Sequence, residues 1–107
     1  VVIKDNVVLG PHNTVARGTI NSTIIGNYVK TDAQVHIAHN CYIGERTMIA
    51  SFANISGSVK VGEDVWIAPN TSIMNNITIG NNVIIGLGAV VVRSVLANQT
   101  VKGNPAK

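Results

Sequence analysis

The sequence predicts an all-β protein, a parallel β-helix of about six triangular coils that ends in a short C-terminal tail. Two regularities carry this prediction: an aliphatic residue recurs every six positions, and an aliphatic–glycine pair recurs every eighteen. The hexad positions are Ile37, Ile43, Ile49, Ile55, Val61, Ile67, Ile73, Ile79, Ile85 and Val91. The pairs at the longer spacing are Ile25–Gly26, Ile43–Gly44, Val61–Gly62 and Ile79–Gly80. A period of six fits neither an α-helix nor one long strand, so the chain must turn after each short strand.

Each hexad divides into a strand and a turn. A small or β-branched residue stands two positions before each aliphatic residue, and this spacing places both side chains on one buried face of a strand. The remaining pairs, such as His39–Asn40 and Asn75–Asn76, are mostly polar and rich in asparagine and glycine, as turns require. Three strands and three turns make one coil of eighteen residues, and successive coils stack into a solenoid.

The two ends of the chain are less regular. Val1/Ile3, Val7/Leu9 and Asn13/Val15 follow the same rule, but two residues out of step with Ile25. We expect a shortened corner near residues 18–23, within the same solenoid. The predicted β-helix domain covers residues 1–95, and residues 96–107 are predicted to form a cap or tail.

The composition argues against nucleic acids and membranes as binding partners. Only 12% of the residues are charged, and the formal net charge of +3 comes from scattered side chains, so neither nucleic-acid nor membrane binding is indicated. No apolar run approaches the roughly 18 residues of a transmembrane helix. The single cysteine, Cys41, excludes an internal disulfide, occupies a predicted core position and suits a reducing compartment. We therefore expect a cytoplasmic protein.

Outward positions also form columns. Met48, Trp66 and Ile84 repeat at a spacing of eighteen and predict an apolar stripe on one flat side. A stripe of this kind is typical of a subunit interface. His36 is predicted to point outward from its strand. His39 occupies a turn with Gly57 one coil above it, so the imidazole is expected to lie over the glycine.

The hexads resemble those of the hexapeptide-repeat acyltransferases, which form a left-handed β-helix. The segment TVARGTINSTIIGNYVKTDAQVHIAHNCYIGERTMIASFANISGSVKVG (14–62) resembles the core of the UDP-3-O-acylglucosamine N-acyltransferases of lipid A synthesis. The segment IGNNVIIGLGAVVVRSVLANQTVKGNPAK (79–107) is similar to acetyl-CoA-dependent sugar acetyltransferases of the sialic-acid O-acetyltransferase and nucleotide-amino-sugar N-acetyltransferase types. The resemblance therefore implies a left-handed β-helix and an enzyme that transfers acyl groups.

The resemblance also implies roles for single residues. The histidine of AHN, His39, corresponds to the general base, and the glycine of SGS, Gly57, corresponds to the donor of an N–H to the thioester carbonyl. His36 and Asn40 are the candidates for substrate contacts; for His36 a role in assisting the base and a place as a plain surface residue are the alternatives. Many of the sugar acetyltransferases carry an acidic residue at the position of Asn40, where it tunes the histidine. Contacts with acetyl-CoA, or with an acylated carrier protein, are assigned largely to main-chain groups of Pro69, Gly86, Leu87 and Gly88. No metal is implied.

The family resemblance implies a homotrimer whose active sites are shared between subunits, with the stripe of Met48, Trp66 and Ile84 as interface. The acceptor is expected to be a nucleotide-linked sugar, bound either with the help of an N-terminal domain that precedes residue 1 in the full protein or entirely within the cleft of the trimer. A lipid A-type N-acyltransferase that uses acyl carrier protein is the alternative. A γ-carbonic-anhydrase-like metal enzyme and a non-catalytic solenoid are alternatives of other classes, the former opposed by the spacing of His36 and His39.

Overall fold

The computed structural model describes residues 1–107 and contains strands without any α-helix. Each strand is two residues long, with a turn or a loop between successive strands. The strands are β1 Val2–Ile3, β2 Val8–Leu9, β3 Thr14–Val15, β4 Ile24–Ile25, β5 Lys30–Thr31, β6 His36–Ile37, β7 Tyr42–Ile43, β8 Met48–Ile49, β9 Asn54–Ile55, β10 Lys60–Val61, β11 Trp66–Ile67, β12 Ser72–Ile73, β13 Thr78–Ile79, β14 Ile84–Ile85, β15 Val90–Val91 and β16 Thr100–Val101. The predicted all-β architecture is confirmed.

Three parallel sheets form the flat sides of the solenoid. Sheet 1 has the order β1-β4-β7-β10-β13, sheet 2 the order β2-β5-β8-β11-β14-β16, and sheet 3 the order β3-β6-β9-β12-β15. Every third strand pairs, so Ile25, Ile43, Val61 and Ile79 stand above one another at the predicted spacing of eighteen residues. The result is a left-handed parallel β-helix of about six coils, as the sequence pattern and the resemblance predict.

The core is a column of isoleucines along the axis of the solenoid. The hexad residues from Ile37 to Val91 are at most 2% exposed, whereas the preceding strand residue is mostly exposed. Burying each such side chain stabilises the fold by about 1.5–3 kcal/mol. Cys41 is also buried in this core, as predicted.

The turns share one backbone conformation. At each regular corner the second turn residue lies in the left-handed region, with φ between 56° at Gln34 and 67° at Gly88. Asparagine tolerates this conformation better than most residues, which explains its frequency at the corners. Larger side chains nevertheless occupy it at Tyr28, Arg46 and Phe52.

The N-terminal corner differs from the expectation. Val2 pairs with Ile24, and Ile3 pairs with Ile25, so this coil has twenty-two residues rather than eighteen. The expected shortened corner is wrong: the corner between β3 and β4 (residues 16–23) is four residues longer than the others, and we call it the lengthened corner. The extra residues leave the strand register intact.

The last coil is shorter than the others. Val95 bridges to Ile79 and Thr100 pairs with Ile84, each at a spacing of sixteen residues, because the corner at residues 92–94 is two residues shorter. Strand β16 therefore lies within the segment 96–107 that the sequence analysis assigns to a cap or tail. After β16 the chain folds back, and Ala106 is buried with its N–H donated to the carbonyl of Val90.

Candidate active site

One corner of the solenoid, between sheets 3 and 1, brings together His39 and Gly57. We call it the site corner. The N–H of Ser58 donates to the carbonyl oxygen of His39 over 2.9 Å, and the N–H of Asn76 donates to that of Gly57 over 3.1 Å. Turns eighteen residues apart are thus stacked directly above one another.

The imidazole of His39 lies against Gly57. A Cβ added at Gly57 would lie 2.5 Å from His39 Cε1 and 3.1 Å from Cδ2, with Nε2 nearer still. Both carbon distances are shorter than ordinary van der Waals contact, so only glycine leaves space for the ring in this position. The ring itself is at the surface, since His39 is exposed and Gly57 is buried. The N–H of Gly57 makes no backbone hydrogen bond and remains available as a donor.

Asn40 supports the other side of the ring. Its Oδ1 lies 3.2 Å from His39 Nδ1. The same oxygen accepts the backbone N–H of Thr19 over 3.3 Å, and Asn40 Nδ2 donates to the carbonyl oxygen of Asn21 over 3.0 Å. Asn40 is therefore held between the histidine and the lengthened corner.

A cleft adjoins the site corner on the side of sheet 1. It has a volume of about 430 Å³ and opens between the lengthened corner and the outer face of two strands. Tyr42 and Lys60, which pair in register, line it together with Asn40 and Ser58. The sequence analysis missed Thr19, Tyr42 and Lys60. The only available signal was that Tyr42 and Lys60 share one outward column.

His36 is exposed on β6, as predicted, and lies on the outer face of sheet 3. It pairs in register with Thr14 and Asn54, and its Nδ1 forms a short hydrogen bond with the hydroxyl of Thr14. His12 lies on the corner between sheets 2 and 3, one flat side away from His39. The three histidines therefore do not converge on one point.

The residues assigned to cofactor contacts lie on the corner between sheets 2 and 3. Gly88 N–H donates to the carbonyl oxygen of Pro69 over 2.9 Å, and Gly86 and Leu87 precede it on the same turn. Sheet 3 separates this corner from His39 within one chain. Gly57 is the one residue of the predicted cofactor set that lies at the site corner.

The apolar stripe is present on sheet 2. Trp66 pairs in register with Met48 on one side and with Ile84 on the other. Their exposures are 40%, 46% and 48%, respectively, which is high for large apolar side chains. Sheet 2 is the flat side opposite the site corner.

The ion pairs of the structure lie on the remaining corner, between sheets 1 and 2. Arg46 donates from Nε and Nη2 to the two carboxylate oxygens of Asp64 over 2.8 and 3.0 Å, and it also contacts Glu45 and Glu63. The hydrogen bond and the positive charge of Arg46 hold the pKa of Asp64 below its usual range.

Burial raises the pKa of the Cys41 thiol, whose Sγ lies 3.1 Å from the carbonyl oxygen of Ser56. A buried, protonated thiol is a poor nucleophile, which agrees with a packing role for Cys41.

A family model described as bacterial transferase hexapeptide (six repeats) matches residues 22–57 and 58–93, which together are more than half of the chain. The chain belongs to this family. The match covers the coils that carry His39, Gly57 and the apolar stripe. No helix of the structure has the length and apolar character needed to cross a bilayer.

Among individual hexapeptide transferases, the chain is 39% identical over its full length to a UDP-3-O-acylglucosamine N-acyltransferase of Caulobacter sp. (strain K31), of which it covers 32%. It is 48% identical over 59 residues, 55% of this chain, to the protein of that name from Neisseria gonorrhoeae, of which it covers 17%. The chain thus spans a third or less of the length of these relatives.

Solved structures show the same solenoid. LpxA from Acinetobacter baumannii matches with a TM-score of 0.87 and 28% identity over 94% of this chain and 42% of that protein. A mutant of GDP-perosamine N-acetyl transferase from Caulobacter crescentus, in complex with CoA and GDP-perosamine, matches with a TM-score of 0.79 and 26% identity over 99% of this chain and 51% of that protein. Both lines of similarity named in the sequence analysis are thus represented among the matches.

Proposed function

We propose that this chain forms the catalytic part of an acyltransferase that moves an acyl group from a thioester to an amino or hydroxyl group of a nucleotide-linked sugar. The donor is acetyl-CoA, and His39 is the general base. The observation that carries the proposal is the packing of the His39 ring against Gly57, which places a proton acceptor beside an available backbone N–H.

The chemistry requires these two groups together. An attacking amine or hydroxyl must lose its proton, and a neutral imidazole is suited to accept it near neutral pH. As the new bond to the thioester carbon forms, the carbonyl oxygen gains negative charge, and in this proposal the N–H of Gly57 donates to that oxygen and stabilises the charge. The thiolate of the donor leaves when the carbonyl re-forms. Cys41 takes no part, because it is buried.

The acceptor is proposed to bind in the cleft beside the lengthened corner. Lys60 is the one charged side chain in the lining of this cleft, and Tyr42 offers an aromatic face beside it. An ammonium group and an aromatic ring suit a phosphorylated, nucleotide-linked ligand. His36 lies on sheet 3, on the other side of the site corner, and is not part of the lining of this cleft.

The donor site is proposed to form between subunits of a homotrimer. Pro69, Gly86, Leu87 and Gly88 lie on the corner between sheets 2 and 3, one flat side of the solenoid away from His39. If the stripe of Met48, Trp66 and Ile84 packs against a neighbouring subunit, one protomer supplies the base and the other supplies main-chain contacts. Sedimentation velocity tests this arrangement: Trp66→Lys is expected to give monomers, and a wild-type chain that sediments as a monomer contradicts it.

Acyl transfer is tested by following the free thiol released from acetyl-CoA with UDP- and GDP-linked amino sugars as acceptors. His39→Ala is expected to lower kcat by about 10²–10⁴-fold, the usual contribution of a general base. His12→Ala, which removes a histidine from a different corner, is the matched control and is expected to retain full activity. Undiminished turnover in His39→Ala contradicts the proposed mechanism.

A lipid A-type N-acyltransferase that uses acyl carrier protein is the second candidate. The 39% identity to the Caulobacter relative favours it. The two candidates differ in the donor, so parallel assays with acetyl-CoA and with long-chain acyl carrier protein distinguish them.

A further inference from the structure

The lengthened corner folds back onto the site corner and holds the side chain of Asn40. Two backbone groups fix the orientation of its amide. The N–H of Thr19 donates to Oδ1, and the carbonyl oxygen of Asn21 accepts from Nδ2. The hydroxyl of Thr19 lies 3.3 Å from the same Oδ1.

These contacts leave only one orientation for the amide. A backbone N–H can only donate and a backbone carbonyl can only accept, so a rotated amide would place its NH₂ against the Thr19 N–H and its oxygen against the Asn21 carbonyl. The atom of Asn40 that faces His39 Nδ1 is therefore the oxygen, at 3.2 Å. Because this oxygen has no proton to give, a neutral His39 must carry its proton on Nδ1.

The lengthened corner is packed tightly around this amide. A Cβ added at Gly18 would lie 3.0 Å from Asn40 Nδ2 and would overlap the carbonyl of Asn21. At the other end of the same corner, Thr23 Oγ1 accepts the backbone N–H of Asn40 over 2.9 Å. The backbone and the side chain of Asn40 are thus both fixed by this one loop.

We propose that the lengthened corner determines which ring nitrogen of neutral His39 carries the proton. Through Asn40 it holds the proton of neutral His39 on Nδ1 and leaves the lone pair on Nε2, the ring nitrogen that lies beside Gly57. Thr19 and Asn40 are positioning residues in this arrangement. The catalytic importance of the lone pair rests on the proposed function, but the position of the proton does not.

The stacking of the corners provides a matched control. Asn76 occupies the same second turn position two coils above Asn40, with φ 60° compared with 59°. Its backbone N–H donates to the carbonyl oxygen of Gly57, but it forms no hydrogen bond with His39 or with the lengthened corner. Asn→Gly at either position places glycine, which favours positive φ, at an equivalent point of the turn. Only the change at Asn40 also removes the oxygen that accepts from His39 Nδ1.

The experiment is ¹⁵N-correlated NMR of the histidine rings in the folded, ligand-free chain at a pH where the rings are neutral. His39→Ala assigns the signal. The wild type and Asn76→Gly are expected to show the Nδ1–H form, whereas Asn40→Gly is expected to show a mixture with the Nε2–H form. Thr19→Val removes the hydroxyl but keeps the backbone N–H that fixes the amide of Asn40, so it is expected to retain the Nδ1–H form.

Activity supplies the second measurement. Asn40→Gly is expected to lower kcat/KM by about 10–100-fold, the loss typical when the partner that orients a metal-bound histidine is removed. Asn76→Gly is expected to remain at the wild-type level. A folded Asn40→Gly that keeps the Nδ1–H form overturns the proposal. If His39→Ala is fully active the proposed function fails, and the spectra still decide where the proton lies.

Discussion

Gly57→Ala tests the geometry of the site corner most directly. The added methyl group would lie 2.5 Å from His39 Cε1, whereas ordinary contact begins at 3.4 Å, so the ring must move by about 1 Å. The backbone itself accepts alanine, because Gly57 is not among the residues with positive φ. The exposed ring can move out into solvent, so the fold is expected to tolerate the substitution.

The expected loss of activity follows from this displacement. A misplacement of about 1 Å in a reacting group can cost about 100-fold in rate. At 1.36 kcal/mol for each factor of ten, this corresponds to about 2.7 kcal/mol of transition-state stabilisation. The thermal midpoint is expected to change by no more than a few degrees, because no buried group loses a contact.

A double-mutant cycle shows whether the methyl group acts through the ring. When His39 is already alanine there is no ring to displace, so Gly57→Ala is expected to add less than about twofold to the loss. Activity is followed by thiol release and stability by circular dichroism. If Gly57→Ala costs the same with and without the ring, or if it leaves activity unchanged, the packing of His39 on Gly57 does not control the reaction.

Gly44→Ala is the control for stability. A Cβ there would meet the backbone of Gly62 and lie 2.8 Å from the nitrogen of Glu63. The backbone of this corner, held by hydrogen bonds such as that from Gly62 N–H to the carbonyl oxygen of Ile79, cannot move away as a side chain can. Gly44→Ala is therefore expected to lower the unfolding temperature, in contrast to Gly57→Ala.

Three further substitutions or treatments test other features. Phe52 has φ 64° and is exposed, so Phe52→Asn is expected to raise stability by about 1 kcal/mol and Tm by about 4 °C in a thermal melt; a lower Tm would contradict this. Burial raises the pKa of Cys41, so iodoacetamide at pH 7 is expected to label the thiol only in denaturant, and rapid labelling of the native chain would refute its burial. Arg46 lowers the pKa of Asp64 in the folded state. The ion pair therefore stabilises the fold at pH values above the pKa that Asp64 has in the unfolded chain. This stabilisation is lost as the pH falls through the lower pKa of the folded state. The Tm values of wild type and Asp64→Asn should therefore converge in acid, and a constant gap would be inconsistent with this ion pair.

The regular coils were predictable because each hexad repeats the same physical requirement. An inward aliphatic residue such as Ile55 must fall on the axis, and a residue such as Asn76 must turn the chain. Residues eighteen apart then share a corner, which is enough to bring His39 to Gly57. The same counting separates Pro69 from His39. Pro69 is twelve residues, or two hexads, beyond Gly57, so it lies on a different corner of the coil.

The lengthened corner was not predictable in the same way. In a period of six, an insertion of four residues and a deletion of two produce the same shift of frame, so Ile3 and Ile25 alone do not distinguish them. The contacts of Thr19 and Asn21 with Asn40 also lie outside the repeat. Their positions depend on how an irregular loop packs, which no periodic signal describes.

The four extra residues between β3 and β4 leave the strand pairing unchanged, since Val2 still pairs with Ile24. Because the strand pairing does not depend on the length of this loop, the loop can vary in length while the rest of the solenoid stays the same. The contacts of Thr19, Asn21 and Thr23 with Asn40, in contrast, depend on this particular loop. Loops of other lengths grafted onto residues 17–22 are therefore expected to keep the solenoid and to release the side chain of Asn40.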